Sequence, residues 1–438
     1  GLPPPAIIGP ALRAWKSGQF EYLTFIGNCG QARSAAVVFA AGQAYKLLRV
    51  AQQREAALPR ARMQPYLTAE VSISAVRHNL ALLRERIGPG VALCPVVKAD
   101  CYGHGLDVLL GAICESADRL AVATPAEALH LRQLGCRRPI LAFFSPCAFD
   151  DGAERRQFLE GLVDEQITMT VTAGRELPAI AEAARRVGAE ADVHLKVDTG
   201  MNRSGVPAAD APSLAEQVRR TDGVKLTGVY THLAAADEAD KGPAAEQLAR
   251  FGAVLEAIPH RSALTVHAAN SAATIDIPES HFDMVRPGVS VYGYQPSDQM
   301  HTRLPLRPAL RLWAPLILVK QVPAGSRVGY GLTCTLDRPS TLGLAPVGYA
   351  DGYLRCLSNR ATVRIRGSDV PILGRVSMDQ IAIDLTDVPA PKVGEPVEII
   401  SRDPADPHSV EGLARLAGTI PYEVTCRLGR RVRRVAVN

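Results

Sequence analysis

From Val91 onward the chain alternates short apolar runs with amphipathic stretches. The runs cover residues 91–98, 119–124, 139–145, 167–172, 192–198, 224–232, 264–270 and 284–289. Each is strand-length and bounded by turn residues, so each predicts a buried β-strand. Helix-like segments, such as 125–134 and 244–255, lie between them. Alternation of this kind predicts parallel strands joined by right-handed crossovers. Eight repeats predict an α/β fold closed into a (β/α)8 TIM-type barrel, with the last two runs the least regular.

Past residue 305 the period changes. Apolar alternation punctuated by Gly and Pro recurs at 316–322, 341–347, 361–365, 381–385 and 397–400. Short strands at this spacing predict a mainly antiparallel C-terminal β-domain. Residues 66–73 read as a strand from the barrel's N-terminal side that joins this domain, with helix 74–87 leading into the barrel. The division expected is a barrel over 63–304 and a β-domain over 305–438. Residues 1–62 show no such alternation. They are expected to be an N-terminal extension, disordered or non-native, with Met63 as the natural start. Their fairly basic character also fits a targeting segment.

The 438 residues suffice for two or three domains, and 47% hydrophobic content supports a large core. A net charge of +5 is small for this length. The one dense basic stretch, 427–434, lacks interleaved aromatics and reads as a solvated strand face near a phosphate; no nucleic-acid partner is expected. Nine dispersed cysteines contain no CxxC pair, which argues against a zinc site or a disulfide framework. A reducing, cytoplasmic setting fits best. No apolar run reaches spanning length, so no membrane partner is expected.

The most informative segment is Val96-Val-Lys-Ala-Asp-Cys-Tyr-Gly-His-Gly105. An apolar run delivers Lys98 to a strand end, where active sites of such barrels lie. Desolvation lowers an amine's pKa and makes the neutral form accessible, which suits attachment to a carbonyl cofactor. The blander reading is a lysine with its stem buried and its head in water. Other polar residues fall at strand ends too: Asp198 to Arg203 after the fifth run, His232 at the sixth, Asn270 and Ser271 at the seventh, Arg286 on the eighth. Loops after the last two strands often hold phosphate. Ser271 and the Pro287-Gly288-Val289 backbone supply a hydroxyl and amides for that purpose.

The Lys98 segment closely resembles the cofactor-lysine motif of the alanine racemases. The resemblance runs from about Met63 to the C-terminus, through collinear segments. These include Leu195-Lys-Val-Asp-Thr-Gly-Met-Asn-Arg203, His267-Ala-Ala-Asn-Ser271, Val285-Arg-Pro-Gly288, Val328-Gly-Tyr-Gly331, Val347-Gly-Tyr-Ala-Asp-Gly-Tyr353, Gly374-Arg-Val-Ser-Met-Asp379 and Pro421-Tyr-Glu-Val424. It implies a barrel plus β-domain, pyridoxal 5'-phosphate as cofactor, and L- and D-alanine as substrates. It also implies a homodimer with sites shared between subunits, and a supply of D-alanine for peptidoglycan.

By the same resemblance Lys98 carries the cofactor and is one acid/base group, and Tyr330 of the partner subunit is the other. His232 and Arg286 support Tyr330, and Arg286 faces the cofactor's ring nitrogen. Tyr102, Asn270, Ser271, Gly288, Val289 and Tyr422 bind the cofactor. Arg203 and Met378 hold the substrate carboxylate, and Tyr349 and Asp379 line the pocket. Lys196 matches a lysine carbamylated in many relatives; a plain salt-bridging lysine is the alternative. Cys101, Ser377 and Pro287 depart from common residues of the family, and none removes a reacting group. The competing readings are a serine or broad-specificity racemase, a fold-related decarboxylase, and a non-catalytic cofactor-binding barrel.

Overall fold

The computed structural model describes residues 66–148 and 152–438, so the extension over 1–62 lies outside the described residues. Strand β1 (Thr68–Ser72) comes first. It is followed by β2 (Ala92–Leu93), β3 (Leu120–Val122), β4 (Ile140–Ala142), β5 (Ile167–Val171), β6 (Ala191–Asp198) and a short β7 (Val206–Pro207). Then come β8 (Val224–Tyr230), β9 (Thr265–His267) and β10 (Met284–Val285).

Parallel pairing runs β3-β4-β5-β6-β8-β9, with β7 annexed to β6, and β10 pairs with β2. Backbone bonds close the ring on both sides. Arg286 N–H donates to the Ala269 carbonyl at 2.9 Å, and Val97 N–H to the Ala121 carbonyl at 2.9 Å. Each of the eight apolar runs therefore supplies one barrel strand. Helices separate them, and their ends follow from local chemistry. Ser72 caps helix Ile73–Ile87 by accepting from Ala75 N–H. Thr124 and Glu127 form a reciprocal capping box on helix Pro125–Gln133. Strands β4 and β5 are buried throughout, as strands covered on both faces must be.

The C-terminal strands are β11 (Leu310–Pro315), β12 (Leu318–Val322), β13 (Arg327–Val328), β14 (Cys334–Thr335) and β15 (Ser340–Ala345). They continue as β16 (Thr362–Ile365), β17 (Ser368–Leu373), β18 (Ile381–Asp384), β19 (Pro396–Ile400) and β20 (Arg433–Val437). Eight of these and β1 make one sheet in the order β12-β15-β18-β17-β16-β19-β11-β1-β20. It is antiparallel except where β1 and β20 run parallel, Thr68 opposite Arg433. The first strand thus belongs to the last domain, as the segment 66–73 suggested.

The basic stretch near the C-terminus is less solvated than its sequence implies. Arg434, on β20, is half-buried, and its guanidinium donates to the carbonyls of Gly103, Leu428, Gly429 and Val432. Arg431 pairs with Asp351 and Asp379. These arginines lace the β-domain to itself and to the barrel. No helix among the described residues is long and apolar enough to cross a membrane.

Candidate active site

After Val97 the backbone enters an unusual conformation. Ala99, Asp100, Cys101 and Tyr102 have φ of 50°, 55°, 54° and 55°, a full turn of left-handed helix built from L-residues. Each such residue costs roughly 1–2 kcal/mol, so the turn persists only because its surroundings hold it. Glu127 Oε1 accepts from Ala99 N–H at 2.7 Å. Asp100 Oδ1 accepts from Leu106 N–H at 2.6 Å, capping the next helix. Arg434 donates twice to the Gly103 carbonyl, at 3.1 Å each. Gly103 itself has φ +82°, and a Cβ there would lie 2.0 Å from the Thr425 carbonyl oxygen of the β-domain. The turn brings both its ends to one side, with Lys98 Nζ 5.7 Å from the centroid of the Tyr102 ring.

Tyr102 lies among other rings, 5.1 Å from Tyr292 and 5.9 Å from Tyr422 between centroids. Its hydroxyl faces Gly288, where a Cβ would come within 2.3 Å of it. Ser271 Oγ accepts from Gly288 N–H at 2.7 Å. Tyr102, Ser271, Gly288, Val289 and Tyr422 therefore converge as a hydroxyl- and amide-bearing cradle. Asn270 sits beside it, but its side-chain oxygen is committed to capping helix Ser271–Asp276 through Ala273 N–H.

Arg286 is buried under the barrel mouth. It donates to His267 Nδ1 at 2.6 Å, to the carbonyls of Thr231 and Ala268, and at 3.5 Å to His232 Nδ1. Its guanidinium carbon stands 5.3 Å above the Tyr230 ring. Burial lowers its pKa to about 10, which still leaves it charged at neutral pH. A charged guanidinium can only donate, and this fixes the tautomers around it. His232 and His267 accept at Nδ1 and carry their proton on Nε2. His267 then donates to His194 Nδ1 at 2.9 Å. His194 Nε2 ends the file with no hydrogen-bond partner among the described residues, its ring lying over Gly228. Burial, reinforced by Arg286, holds all three imidazoles well below their ordinary pKa, so all are neutral.

Above this layer the charges are mostly positive. The Lys98 amine is lowered by burial and then by Arg203. Lys196 is lowered to about 8 by burial, Arg203 and Arg286, and donates to Ser204 Oγ at 2.6 Å. Arg203 is exposed on the loop after β6. The neighbouring cations thus weaken the charge of both lysines, and an anion placed among them would relieve that repulsion. Among the described residues no group of three or more His, Cys, Asp or Glu is placed to hold a metal ion.

The remaining candidates gather elsewhere, on the β-domain. Tyr330 is 72% exposed, Met378 52% and Tyr349 40%. Tyr349 N–H donates to the Ser377 carbonyl at 3.1 Å and Ala350 N–H to the Met378 carbonyl at 3.0 Å. Asp379 accepts from Arg431 at 2.8 Å. Gly329 and Gly331, both at φ 72°, flank Tyr330 beside Arg375. Within one chain the candidates thus form a barrel-mouth group and an exposed β-domain group.

Comparison with known proteins agrees with this geometry. The sequence profile described as "Alanine racemase, N-terminal domain" matches residues 71–296, and that described as "Alanine racemase, C-terminal domain" matches 309–436. The chain belongs to the alanine racemase family. It is 40% identical to the alanine racemase of Desulfovibrio desulfuricans over 375 residues, which is 84% of this chain and 97% of that protein. The corresponding protein of Syntrophobacter fumaroxidans is 37% identical, covering 82% of this chain and 95% of its own length. Among solved structures, the alanine racemase from the D-cycloserine-producing Streptomyces lavendulae superposes with a TM-score of 0.79. It is 36% identical and covers 86% of this chain and 98% of its own.

Sequence reasoning passed over several residues that shape this racemase-family site. His194 and Tyr230 were not singled out, and His267 appeared only as part of a motif. All three lie on barrel strands, where a polar or aromatic side chain looks like ordinary core. Glu127 does carry a signal, the Thr-x-x-Glu of a capping box, but nothing in that motif foretells its second bond to Ala99. Arg434 was hidden in a basic run.

The neutral imidazoles make a pH prediction. Their folded pKa values lie below the unfolded value of about 6.5, so the unfolded chain binds more protons as pH falls. The stability is fully present above pH ~6.5 and lost below it. Each imidazole should contribute a slope of about 1.4 kcal/mol per pH unit until its folded pKa is reached. Urea unfolding followed from pH 7.5 to 5.5 should show this loss beginning near 6.5, and His267→Gln should flatten it. A constant unfolding free energy across that range would contradict the assignment of neutral, buried imidazoles.

Proposed function

We propose that this protein is a pyridoxal 5'-phosphate-dependent alanine racemase. The observation that carries the reading is the meeting of Lys98, Lys196, Arg203 and Arg286 beside a hydroxyl-lined cradle. The residues fit the cofactor. Tyr102, Tyr422, Ser271 and the Gly288–Val289 backbone would hold its phosphate, in space a Cβ at 288 would fill against Tyr102. Lys98 would carry it, Asn270 would flank it, and Arg286 would face its ring nitrogen. When bound, the cofactor acidifies the α-hydrogen of an attached amino acid and accepts the electron pair. An arginine partner donates to the ring nitrogen without protonating it, which favours simple return of a proton.

The chain's own groups then divide the work. Lys98, eased toward its neutral amine, exchanges a proton with the α-carbon on one face. The partner subunit's Tyr330 does so on the other, which makes the protein a homodimer with shared sites. A free phenol ionises only at pH ~10, so any tyrosine base needs help to act near neutrality. His232 supplies it: its Nδ1 is engaged by Arg286, so its Nε2 carries the proton and is a donor able to stabilise a phenolate. Arg203 and the Met378 backbone hold the substrate carboxylate. Tyr349 and Tyr422, with Asp379 nearby, restrict the side chain to methyl size. The product would serve peptidoglycan synthesis in the cytoplasm.

Lys196 is proposed to be carbamylated. A pKa of about 8 leaves roughly a tenth of the amine neutral at pH 7, far more than an ordinary lysine, and a neutral amine adds to carbon dioxide. The carbamate would replace a cation beside Arg203 with an anion that orients it. A carbonyl signal from ¹³C-bicarbonate in the NMR spectrum, lost in Lys196→Ala, is the expected result. A spectrum without that signal would favour the plain ammonium.

The reading is tested by circular dichroism of L- and D-alanine with the cofactor-loaded protein, and by its Tyr330→Phe variant. That change keeps the ring and deletes the proton-carrying hydroxyl. Racemisation should fall by ~10²–10⁴-fold. By the family's pattern Lys98 serves D-alanine and Tyr330 serves L-alanine. The variant should therefore still exchange the α-hydrogen of D-alanine with deuterated solvent, while exchange in L-alanine is nearly lost. Equal exchange in both enantiomers would refute these roles, and no racemisation by the unaltered protein would refute the function.

A further inference from the structure

The Sγ atoms of Cys114 and Cys136 lie 3.7 Å apart. Cys114 lies in the last turn of helix Leu106–Ser116 on the approach to β3, and Cys136 lies in the link that precedes β4. Both are thus at the N-terminal ends of barrel strands, the face opposite Lys98. Cys356 and Cys426, by contrast, are exposed.

We propose that Cys114 and Cys136 are a reversible dithiol–disulfide site, oxidised by low-molecular-weight disulfides. Three features support it. The backbones that bear the thiols are held in place: Arg138 donates to the Cys114 carbonyl at 3.0 Å, and Arg132 to the Cys136 carbonyl at 2.9 Å. A cleft of about 850 Å³, lined in part by Asp107, Leu110, Gly111, Arg138 and both cysteines, opens onto the pair. The pair also lies beside two cations: Arg132 and Arg138, with the neighbouring backbone, favour a thiolate at Cys136, which Cys114 can stabilise by donating its S–H.

The chemistry balances as two exchanges. The Cys136 thiolate attacks one sulfur of a disulfide RSSR; a mixed disulfide forms and one RS⁻ leaves. Cys114 gives up its proton to that thiolate and attacks the Cys136 sulfur; the Cys114–Cys136 bond forms and the second RS⁻ leaves. The protein thiols lose two electrons, and RSSR is reduced to two thiols.

The test equilibrates the cofactor-loaded protein in glutathione buffers of rising oxidised fraction, followed by acid quench, alkylation and peptide mass spectrometry. A pair gains an intramolecular advantage that isolated cysteines lack. The expected result is a 114–136 cross-linked peptide, two hydrogens lighter and reversed by dithiothreitol, at ratios that leave Cys356 and Cys426 as thiols. In Cys114→Ser the reaction should stop at a Cys136–glutathione mixed disulfide. Absence of the cross-link at ratios that already modify Cys356 or Cys426 would overturn the proposal, and this reading needs only the unaltered protein.

Discussion

The site depends on a left-handed turn that its own residues disfavour. Ala99 to Tyr102 hold positive φ without a glycine among them, and the turn survives because both domains grip it. The barrel supplies Glu127 and the cap by Asp100. The β-domain supplies Arg434 to the Gly103 carbonyl and the Thr425 backbone that leaves no room for a Cβ at 103. Because β20 lies parallel to β1, and β1 leads directly into the first helix, the C-terminal strand is registered against the start of the barrel. The position of Lys98 relative to Tyr102 is therefore a property of the two domains together.

Beneath the mouth, charge and neutrality are arranged in layers. Arg286 is a buried cation with no carboxylate hydrogen-bond partner among the described residues; carbonyls and imidazole nitrogens satisfy it instead. That choice keeps the layer's net charge positive and forces the neighbouring histidines to be neutral acceptors. Burial lowers Lys98 and Lys196, with help from Arg203 at both and from Arg286 at Lys196. A site built this way favours anions at its mouth and amines in their neutral form, which are the two requirements of the proposed chemistry.

Much of this was legible in the sequence, and the exceptions have physical reasons. The barrel strands are largely buried and read as apolar runs, so all eight were visible. β17 contains Pro371 and polar residues at one end, and β20 opens with Arg433-Arg434, so neither has the apolar alternation that marks a strand. The strand-end residues Lys98, His232 and Arg286 were recognisable because several polar side chains fall together at strand ends, each alone being a weak signal. His194 and His267 gave no such contrast. The left-handed turn was invisible, because Ala-Asp-Cys-Tyr carries no residue that prefers it. The thiol pair was hidden by a separation of 22 residues, which only the barrel's return brings together. Tyr330 could be named from the resemblance, but no periodicity tells whose active site an exposed tyrosine serves.

The central claim is that each site is completed by the exposed β-domain group of a second subunit. Hybrid complementation tests it most directly. Lys98→Ala and Tyr330→Phe proteins, each inactive alone, are mixed under conditions that allow subunits to exchange. A hybrid dimer contains one site with both lesions and one with neither, so the account predicts that part of the racemase activity returns. If mixing restores none while mass spectrometry shows hybrids present, Lys98 and Tyr330 act from the same chain or not together, and the account is contradicted.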